Sequence, residues 1–132
     1  MVATSNVERP KRSVVWVKNS KKDLVAFPAD VCTSVGHFLH EVQSGITPAC
    51  AKPLVGDKEL AGVMEIVIDS EGDTFRAVYT VKLGDKLYVL HCFMKKSKSG
   101  SKTPQREIDL IKSRLKNAKE SYAEESKKNP KS

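Results

Sequence analysis

Three hydrophobic runs in the middle of the chain, separated by very short polar stretches, constrain the fold most. They are GVMEIVID, TFRAVYTVKL and KLYVLHCFM, at residues 62–69, 74–83 and 86–94. β-Branched and aromatic residues are frequent in all three, as is typical of β-strands. The connections are SEGD and the dipeptide Gly84-Asp85. Connections this short can join only antiparallel neighbours, so the sequence predicts a small antiparallel sheet.

A further strand and two helical segments are expected before this sheet. The run SVVWVK at residues 13–18 predicts a strand, and residues 20–27 predict one or two helical turns. Apolar residues then recur at helical spacing over residues 28–44. Pro28 suits the first turn of that helix, and Gly45 suits its end. The first third of the chain therefore predicts an N-terminal helical pair.

A loop and a last helix complete the predicted fold. Residues 45–61 are interrupted by glycine and proline and predict a loop. Thr103-Pro104 predicts the N-cap and first position of a helix whose apolar residues follow a 3-4-3-4 spacing. The expected fold class is α+β, a small antiparallel β-sheet with an N-terminal helical pair and a C-terminal helix. We expect one domain over residues 13–123, a flexible arm at 1–12 and a flexible basic tail at 124–132.

The formal net charge of +7 is unevenly distributed along the chain. Residues 24–94 contain five basic and nine acidic side chains, whereas residues 95–132 contain twelve basic and five acidic ones. An acidic body beside a basic segment is typical of a protein that binds a polyanion. For residues 124–132 a solvated tail explains the lysines equally well.

Several classes of protein are disfavoured by what the sequence lacks. Its apolar runs are far shorter than the roughly 20 residues of a membrane span, and the segment MVATSNVERPKR lacks the apolar core of a secretory signal. The three cysteines form no C-x-x-C pair, which favours reduced thiols in the cytoplasm over a disulfide framework. There is no nucleotide-binding loop and no zinc-ligand spacing, so we expect no cofactor and no metal.

The turn between the last two runs sets the register of their hairpin. If Gly84-Asp85 is a two-residue turn, Arg76 lies opposite Phe93 and Val78 lies opposite His91. A bulge in either strand would change this register.

One face of this hairpin is expected to be cationic and the other to be core. Side chains alternate between the faces along each strand. The opposite face, through Tyr79 and Leu90, is expected to pack on the helix predicted at residues 28–44. The cationic face is expected to present Arg76, His91, Phe93 and Lys95.

These side chains have the chemistry needed to cleave RNA without a metal. The attacking 2′-hydroxyl needs a proton acceptor, and the phosphate needs cations around it. Arg76 offers a fork to two phosphate oxygens, while Lys95 and Lys96 act as point charges. His91 is suited to proton transfer near neutral pH, and Phe93 is suited to stacking on an unpaired base.

Each of these residues also has a purely structural interpretation. A strand arginine is typical of a surface ion pair, and a histidine in an apolar strand is typical of a core residue whose hydrogen bonds are satisfied. A phenylalanine in a strand is typical of packing. The interest lies in the convergence of Arg76, His91 and Phe93 beside the basic run at residues 95–102.

The second half of the chain resembles a known toxin family. The run DTFRAVYTVKLGDKLYVLHCFMKKSKSGSKTPQREIDL is similar to the phage-derived HigB-like toxins, a branch of the RelE/ParE superfamily of type II toxin–antitoxin systems. The most specific part is the block F-x-K-K-S-x-S-G-x-K-T-P. The segments VVWVKNSKKDLVAFPADV and AKPLVGDKELAGVMEI extend the resemblance to about residues 13–122.

The resemblance implies a ribonuclease toxin with a protein partner. Its fold would be a small antiparallel sheet with helices before and after it. Its activity would be cleavage of messenger RNA, usually on the ribosome, with inhibition of translation in the cytoplasm. Its partner would be a helix-turn-helix antitoxin in a hetero-oligomer, and no membrane partner is implied. The resemblance implies catalytic roles for Arg76, Lys95 and Lys96. From the residues themselves we expect His91 as a further catalytic residue, and Phe93, Lys98, Lys102 and Lys52 as RNA-binding residues.

Two departures from the family pattern leave a second interpretation open. Many members carry a basic residue after the E-[LI] pair of the first long strand, where this chain has Val67. No residue matches the tyrosine that helps to activate the nucleophile in RelE, so the general base is unassigned. The alternative is a ParE-like or non-catalytic toxin whose basic edge binds a protein target such as gyrase.

Overall fold

The structure, a computed structural model, describes residues 11–96 and 103–128. Its mixture of strands and helices confirms the α+β fold class, with two helices between the first strand and the other four and one helix after the sheet. In chain order the elements are β1 (Ser13–Trp16), α1 (Ser20–Val25), α2 (Ala29–Gln43), β2 (Ala51–Pro53), a short 3-10 helix (Lys58–Leu60), β3 (Val63–Ser70), β4 (Asp73–Thr80), β5 (Lys86–Lys96) and α3 (Gln105–Lys128).

The five strands form one sheet in the order β1-β5-β4-β3-β2. Neighbouring strands from β2 to β5 are antiparallel, as predicted, but the edge strand β1 runs parallel to β5. The edge strand β2 lies within residues 45–61, where the sequence predicts only a loop. It has three residues and ends on a proline, so it carries little of the alternating pattern by which strands are recognised.

The turn between β3 and β4 fixes the register of the two central strands. Glu71 and Gly72 both have positive φ, at 51° and 85°, as a two-residue hairpin turn of type I′ requires. Ser70 therefore pairs with Asp73. Further along the hairpin, Glu65 pairs with Val78.

The β4–β5 hairpin has the predicted register at its far end but not at its turn. Arg76 pairs with Phe93 and Val78 with His91, as predicted. The two-residue turn is wrong, because β4 ends at Thr80 and residues 81–85 all belong to the connection. A bulge between Val78 and Tyr79 compensates for the longer connection by shifting the register by one residue.

The bulge also reverses the face of one predicted core residue. Tyr79 packs against α2 as expected, but Leu90 packs on the opposite side of the sheet, in the cluster that contains Ile111 and Leu115 of α3. The prediction that Tyr79 and Leu90 share a face is therefore wrong. An additional residue in one strand changes the alternation beyond it, and the sequence gives no clear sign of the bulge.

Both faces of the sheet are covered by helices, and this explains why β4 and β5 are buried almost throughout. Helices α1 and α2 cover one face, and α3 covers the other. The α1/α2 face buries Leu24, Val31, Val35, Leu39, Ile66, Ala77 and Tyr79. The α3 face buries Val78, Tyr88, Leu90, Phe93, Ile108, Ile111 and Leu115.

The described residues include short segments on both sides of the predicted domain at residues 13–123. Helix α3 continues to Lys128, so residues 124–128 are helical rather than a tail, and Lys86 lies 3.7 Å from Glu125 on this last part. Arg12 is held by Gln43, whose side chain donates to the Arg12 carbonyl at 2.8 Å. The rest of the predicted arm and tail, at 1–10 and 129–132, lies outside the described residues. None of the described helices is both long enough and apolar enough to span a bilayer.

Candidate active site

The centre of the candidate site is an ion pair between two adjacent strands. Arg76 of β4 donates from Nη1 to Oε1 of Glu65 on β3, at 2.9 Å. Both residues are only 3% exposed. Glu65 is opposite Val78, so alternation puts it on the same face as Arg76 and diagonally next to it. Arg76 also lies 3.4 Å from the hydroxyl of Thr103, two residues before the start of α3.

Two lysines at the end of β5 extend the positive charge. Lys95 pairs with Thr74, and alternation places it on the Arg76 face. It is buried, at 6% exposure, whereas the side chain of Lys96 is 69% exposed. The Lys96 ammonium lies 3.8 Å from a carboxylate oxygen of Asp73. The described part of the basic run therefore has one lysine inside the fold and one on its surface.

His91 lies inside a buried network of charged groups. Its Nε2 is 2.6 Å from Oε1 of Glu107, and its Nδ1 is 3.3 Å from Nη1 of Arg114. An arginine can only donate, so Nδ1 accepts and Nε2 carries the hydrogen that is donated to Glu107. Arg114 also donates to the Leu90 carbonyl at 3.1 Å and lies 3.8 Å from Asp23 of α1. The network thus connects α1, β5 and α3.

Phe93 packs inside the protein. Its ring stacks on the His91 ring, with centroids 4.9 Å apart and planes inclined by 19°. It belongs to the hydrophobic cluster under α3. In this arrangement one face of the Phe93 ring is covered by the His91 ring rather than by an RNA base.

An open groove of about 630 Å³ runs beside the Arg76–Glu65 pair. β2 and the loop after it form one wall, and the start of α3 forms the other. Glu65 is one of the residues that line the groove, so the buried ion pair borders it. The other lining residues include Lys52, Val55, Asp57, Thr103, Gln105 and Ile108.

The loop beside this groove is tied to α3 by a salt bridge. Lys112 donates to Oδ2 of Asp57 at 2.8 Å. This hydrogen bond, together with a backbone N–H donated by Glu59, holds the pKa of Asp57 below its ordinary value. The same hydrogen bond raises the pKa of Lys112. The loop therefore has a charged anchor on the helix that forms the opposite wall.

The structure brings together some of the residues predicted from the sequence and separates others. Arg76, Lys95, His91 and Phe93 are all buried on the α3 side of the sheet, so the expected exposed cationic face is instead covered by α3. Lys52 is exposed and lines the groove, away from the exposed end of β5. Lys98 and Lys102 lie outside the described residues. The catalytic and RNA-binding roles of all these residues remain predictions.

Sequence reasoning missed the charged partners of Arg76 and His91. Glu65 could have been found, because a two-residue turn at Glu71-Gly72 gives the β3–β4 register that puts it beside Arg76. Glu107 and Arg114 are different, since their contact with His91 depends on how α3 crosses the sheet. No short-range pattern encodes that crossing.

The described residues contain no group of three or more histidine, cysteine, aspartate or glutamate side chains arranged to hold a metal ion. The charged side chains that line the groove are Lys52, Asp57 and Glu65, and Arg76 contacts Glu65. Such groups can bind a phosphate and accept a proton.

Comparison with known proteins identifies one family. The sequence profile described as Phage derived protein Gp49-like (DUF891) matches residues 22–116, which is most of the chain. One chain of the crystal structure of the toxin–antitoxin complex RelBE2 from Mycobacterium tuberculosis is similar at a TM-score of 0.47 and 20% sequence identity. That similarity covers 69% of this chain and 98% of the other. No curated protein sequence matches the chain significantly.

Proposed function

Because this chain belongs to the Gp49-like family of phage-derived proteins, we propose that it is the toxin of a type II toxin–antitoxin pair. We propose further that it is an endoribonuclease that cleaves messenger RNA on the ribosome and so inhibits translation in the cytoplasm. The phage-derived family agrees with the resemblance that the sequence carries around its FMKKSKSGSKTP block. Its partner would be a helix-turn-helix antitoxin.

The observation that carries the nuclease proposal is the Arg76–Glu65 pair at the edge of an open groove. A guanidinium fixed by a buried carboxylate has a defined orientation, and it costs little reorganisation when charge develops on a phosphate. Lys52 lines the same groove and offers a charge for the RNA backbone. Lys95, on the same face as Arg76, adds positive charge near the reacting phosphate.

Cleavage by these groups would need no metal. Arginine and lysine would neutralise the phosphate, and the attacking nucleophile would be the 2′-hydroxyl of the RNA itself. The products would be a 2′,3′-cyclic phosphate and a 5′-hydroxyl.

The direct test is cleavage of messenger RNA in a translating extract that is free of contaminating nuclease. Ribosomes need magnesium, so metal independence is tested separately, on short RNA in the presence of EDTA. Arg76→Lys is the informative variant, because it keeps a positive charge beside Glu65 but loses the fork. We expect it to lower cleavage by roughly a hundredfold or more, as loss of one transition-state donor typically does.

In cells, the wild-type chain expressed alone should slow growth, and a co-expressed antitoxin should relieve the effect. Arg76→Lys at equal soluble expression should grow normally. Normal growth with the wild type would contradict a toxin, and wild-type cleavage by Arg76→Lys would contradict the assigned site.

A second candidate is a toxin that binds a protein target such as gyrase and cleaves nothing. The observation in its favour is the burial of Arg76 and Lys95, at 3% and 6% exposure, beneath α3. Under this hypothesis Arg76→Lys would remain toxic as long as it folds, and no RNA would be cleaved in the extract. The same two assays therefore separate the candidates.

A further inference from the structure

The proposed nuclease has no assigned proton acceptor, and the structure narrows the choice. Both ring nitrogens of His91 are engaged by other side chains, Nε2 with Glu107 and Nδ1 with Arg114. In this state only Nδ1 has a lone pair that could take a proton from RNA, and it would first have to lose its 3.3 Å contact with Arg114. Another group should be sought closer to the groove.

Glu65 is the carboxylate that combines contact with Arg76 and access to the groove. Its Oε1 accepts from Arg76 at 2.9 Å, and its side chain forms part of the groove lining with Lys52 and Thr103. A phosphate that is bound by Arg76 would thus lie within reach of the carboxylate beside it. Asp57 also lines the groove, but its Oδ2 accepts from Lys112 and its Oδ1 from the Glu59 N–H.

We infer that Glu65 is the proton acceptor for the attacking 2′-hydroxyl, an inference that rests on the proposed nuclease function. The ligand is single-stranded RNA with one ribose and its 3′-phosphate in the groove. Arg76 both orients the phosphate and fixes the position of the carboxylate.

The step balances without any further reactant. The 2′-hydroxyl proton passes to a Glu65 oxygen while the 2′-oxygen forms a bond to phosphorus. The bond from phosphorus to the 5′-oxygen breaks, and that oxygen leaves with the electron pair and takes a proton from water. Glu65 then returns its proton to solvent. Atoms and charge are conserved, and no redox change occurs.

A competing role for Glu65 is only to hold Arg76 in place. Glu65→Gln separates the two roles, because the amide keeps an oxygen that can accept from Arg76 but cannot accept a proton. Removing the negative charge beside Arg76 should also leave RNA binding intact or strengthen it. Loss of cleavage without loss of affinity is therefore the mark of a proton acceptor.

The experiment measures single-turnover cleavage of a short messenger RNA on programmed ribosomes across pH, together with the Kd for a 2′-deoxy analogue that cannot be cleaved. For E65Q we expect cleavage to fall by roughly a hundred- to ten-thousandfold, as loss of a general base typically causes. The Kd should stay within twofold or become tighter. The fall in rate towards acid pH, expected for the wild type, should be absent from the residual rate of E65Q.

The matched control is Asp69→Asn, which makes the same charge change on the same strand at an exposed position that accepts a hydrogen bond from Thr74. It should cleave at the wild-type rate. Equal cleavage by E65Q and wild type would overturn the inference. So would a loss of cleavage by E65Q matched by an equal loss of affinity, because that result assigns Glu65 to positioning alone.

Glu65→Asp decides the case if E65Q does not fold. It keeps a carboxylate, so its residual cleavage should still fall towards acid pH, and a rate independent of pH would overturn the inference. A wild-type protein that cleaves no RNA would contradict the proposed function itself. That result is distinguishable, because every comparison above requires an active wild type.

Discussion

The two faces of the sheet are both buried under helices, but they bury different chemistry. The face under α1 and α2 packs aliphatic and aromatic side chains such as Leu39, Ile66 and Tyr79. The face under α3 includes a hydrophobic cluster too, but it also buries charge. Its buried charged side chains are Glu65, Arg76, Lys95 and Arg114.

This difference indicates that the two faces have been shaped by different requirements. A buried ion pair is rarely more stabilising than hydrophobic side chains of the same volume, because desolvation offsets much of the attraction. The α1/α2 face can therefore be explained by folding alone. The charge on the α3 face requires another explanation, and binding of a phosphate at the adjacent groove provides one.

The largest difference in stability between the two faces is expected when one charge of the buried Arg76–Glu65 pair is removed. Arg76→Ala leaves Glu65 as a buried carboxylate that has lost its arginine, and this should lower the free energy of unfolding by about 3–5 kcal/mol. Arg76 is only 3% exposed, so the pair is almost entirely removed from water. Urea denaturation of the purified variant measures the effect.

A double variant and a variant on the other face serve as controls. Replacing the pair by Glu65→Leu and Arg76→Met should recover much of the stability but no cleavage. Leu39→Ala, in the apolar face, should cost about 2–5 kcal/mol and leave the cleavage per folded molecule unchanged. If Arg76→Ala were as stable as the wild type, Arg76 and Glu65 would not form a buried ion pair.

A smaller effect is expected from His91→Gln. The partly buried Glu107 and the buried Arg114 would each lose a fitted partner, which should cost about 1–3 kcal/mol. Because both ring nitrogens are engaged within the protein, we expect the rate of cleavage per folded molecule to stay close to that of the wild type, while the free energy of unfolding falls. Thermal unfolding and single-turnover cleavage on the same sample check this. A large loss of cleavage at unchanged stability would restore His91 as the proton acceptor.

The same comparison explains which parts of the molecule were predictable from sequence. The strands β3, β4 and β5 and the helix α2 follow local periodicity. The predicted Arg76–Phe93 pairing is right only because the bulge compensates for the wrong turn. The burial of Arg76 and Lys95 does not, because α3 covers them from a distant part of the chain. Leu90 was assigned to the wrong face because a single bulged residue has no reliable local signature.

The smallest expected effect concerns the anchor of the groove loop, and it is a change in pH dependence. The pKa of Asp57 is lowered in the folded protein by the hydrogen bond from Lys112, so this carboxylate stabilises the fold above its unfolded pKa of about 4. That contribution is lost as the pH falls through the lower, folded pKa. Asp57→Asn should therefore melt at a slightly lower temperature than the wild type at pH 7, with the difference disappearing at acid pH.

Thermal melts between pH 2 and pH 7 test the sign directly. Lys112 also lies 3.6 Å from Glu59, so part of the anchor should survive in Asp57→Asn, and Lys112→Met removes both contacts. If the salt bridge shapes the groove, both Asp57→Asn and Lys112→Met should weaken RNA binding, although the first removes a negative charge and the second a positive one. If RNA binding instead follows net charge alone, Asp57→Asn should bind RNA more tightly than the wild type does. The salt bridge would then have no part in shaping the groove.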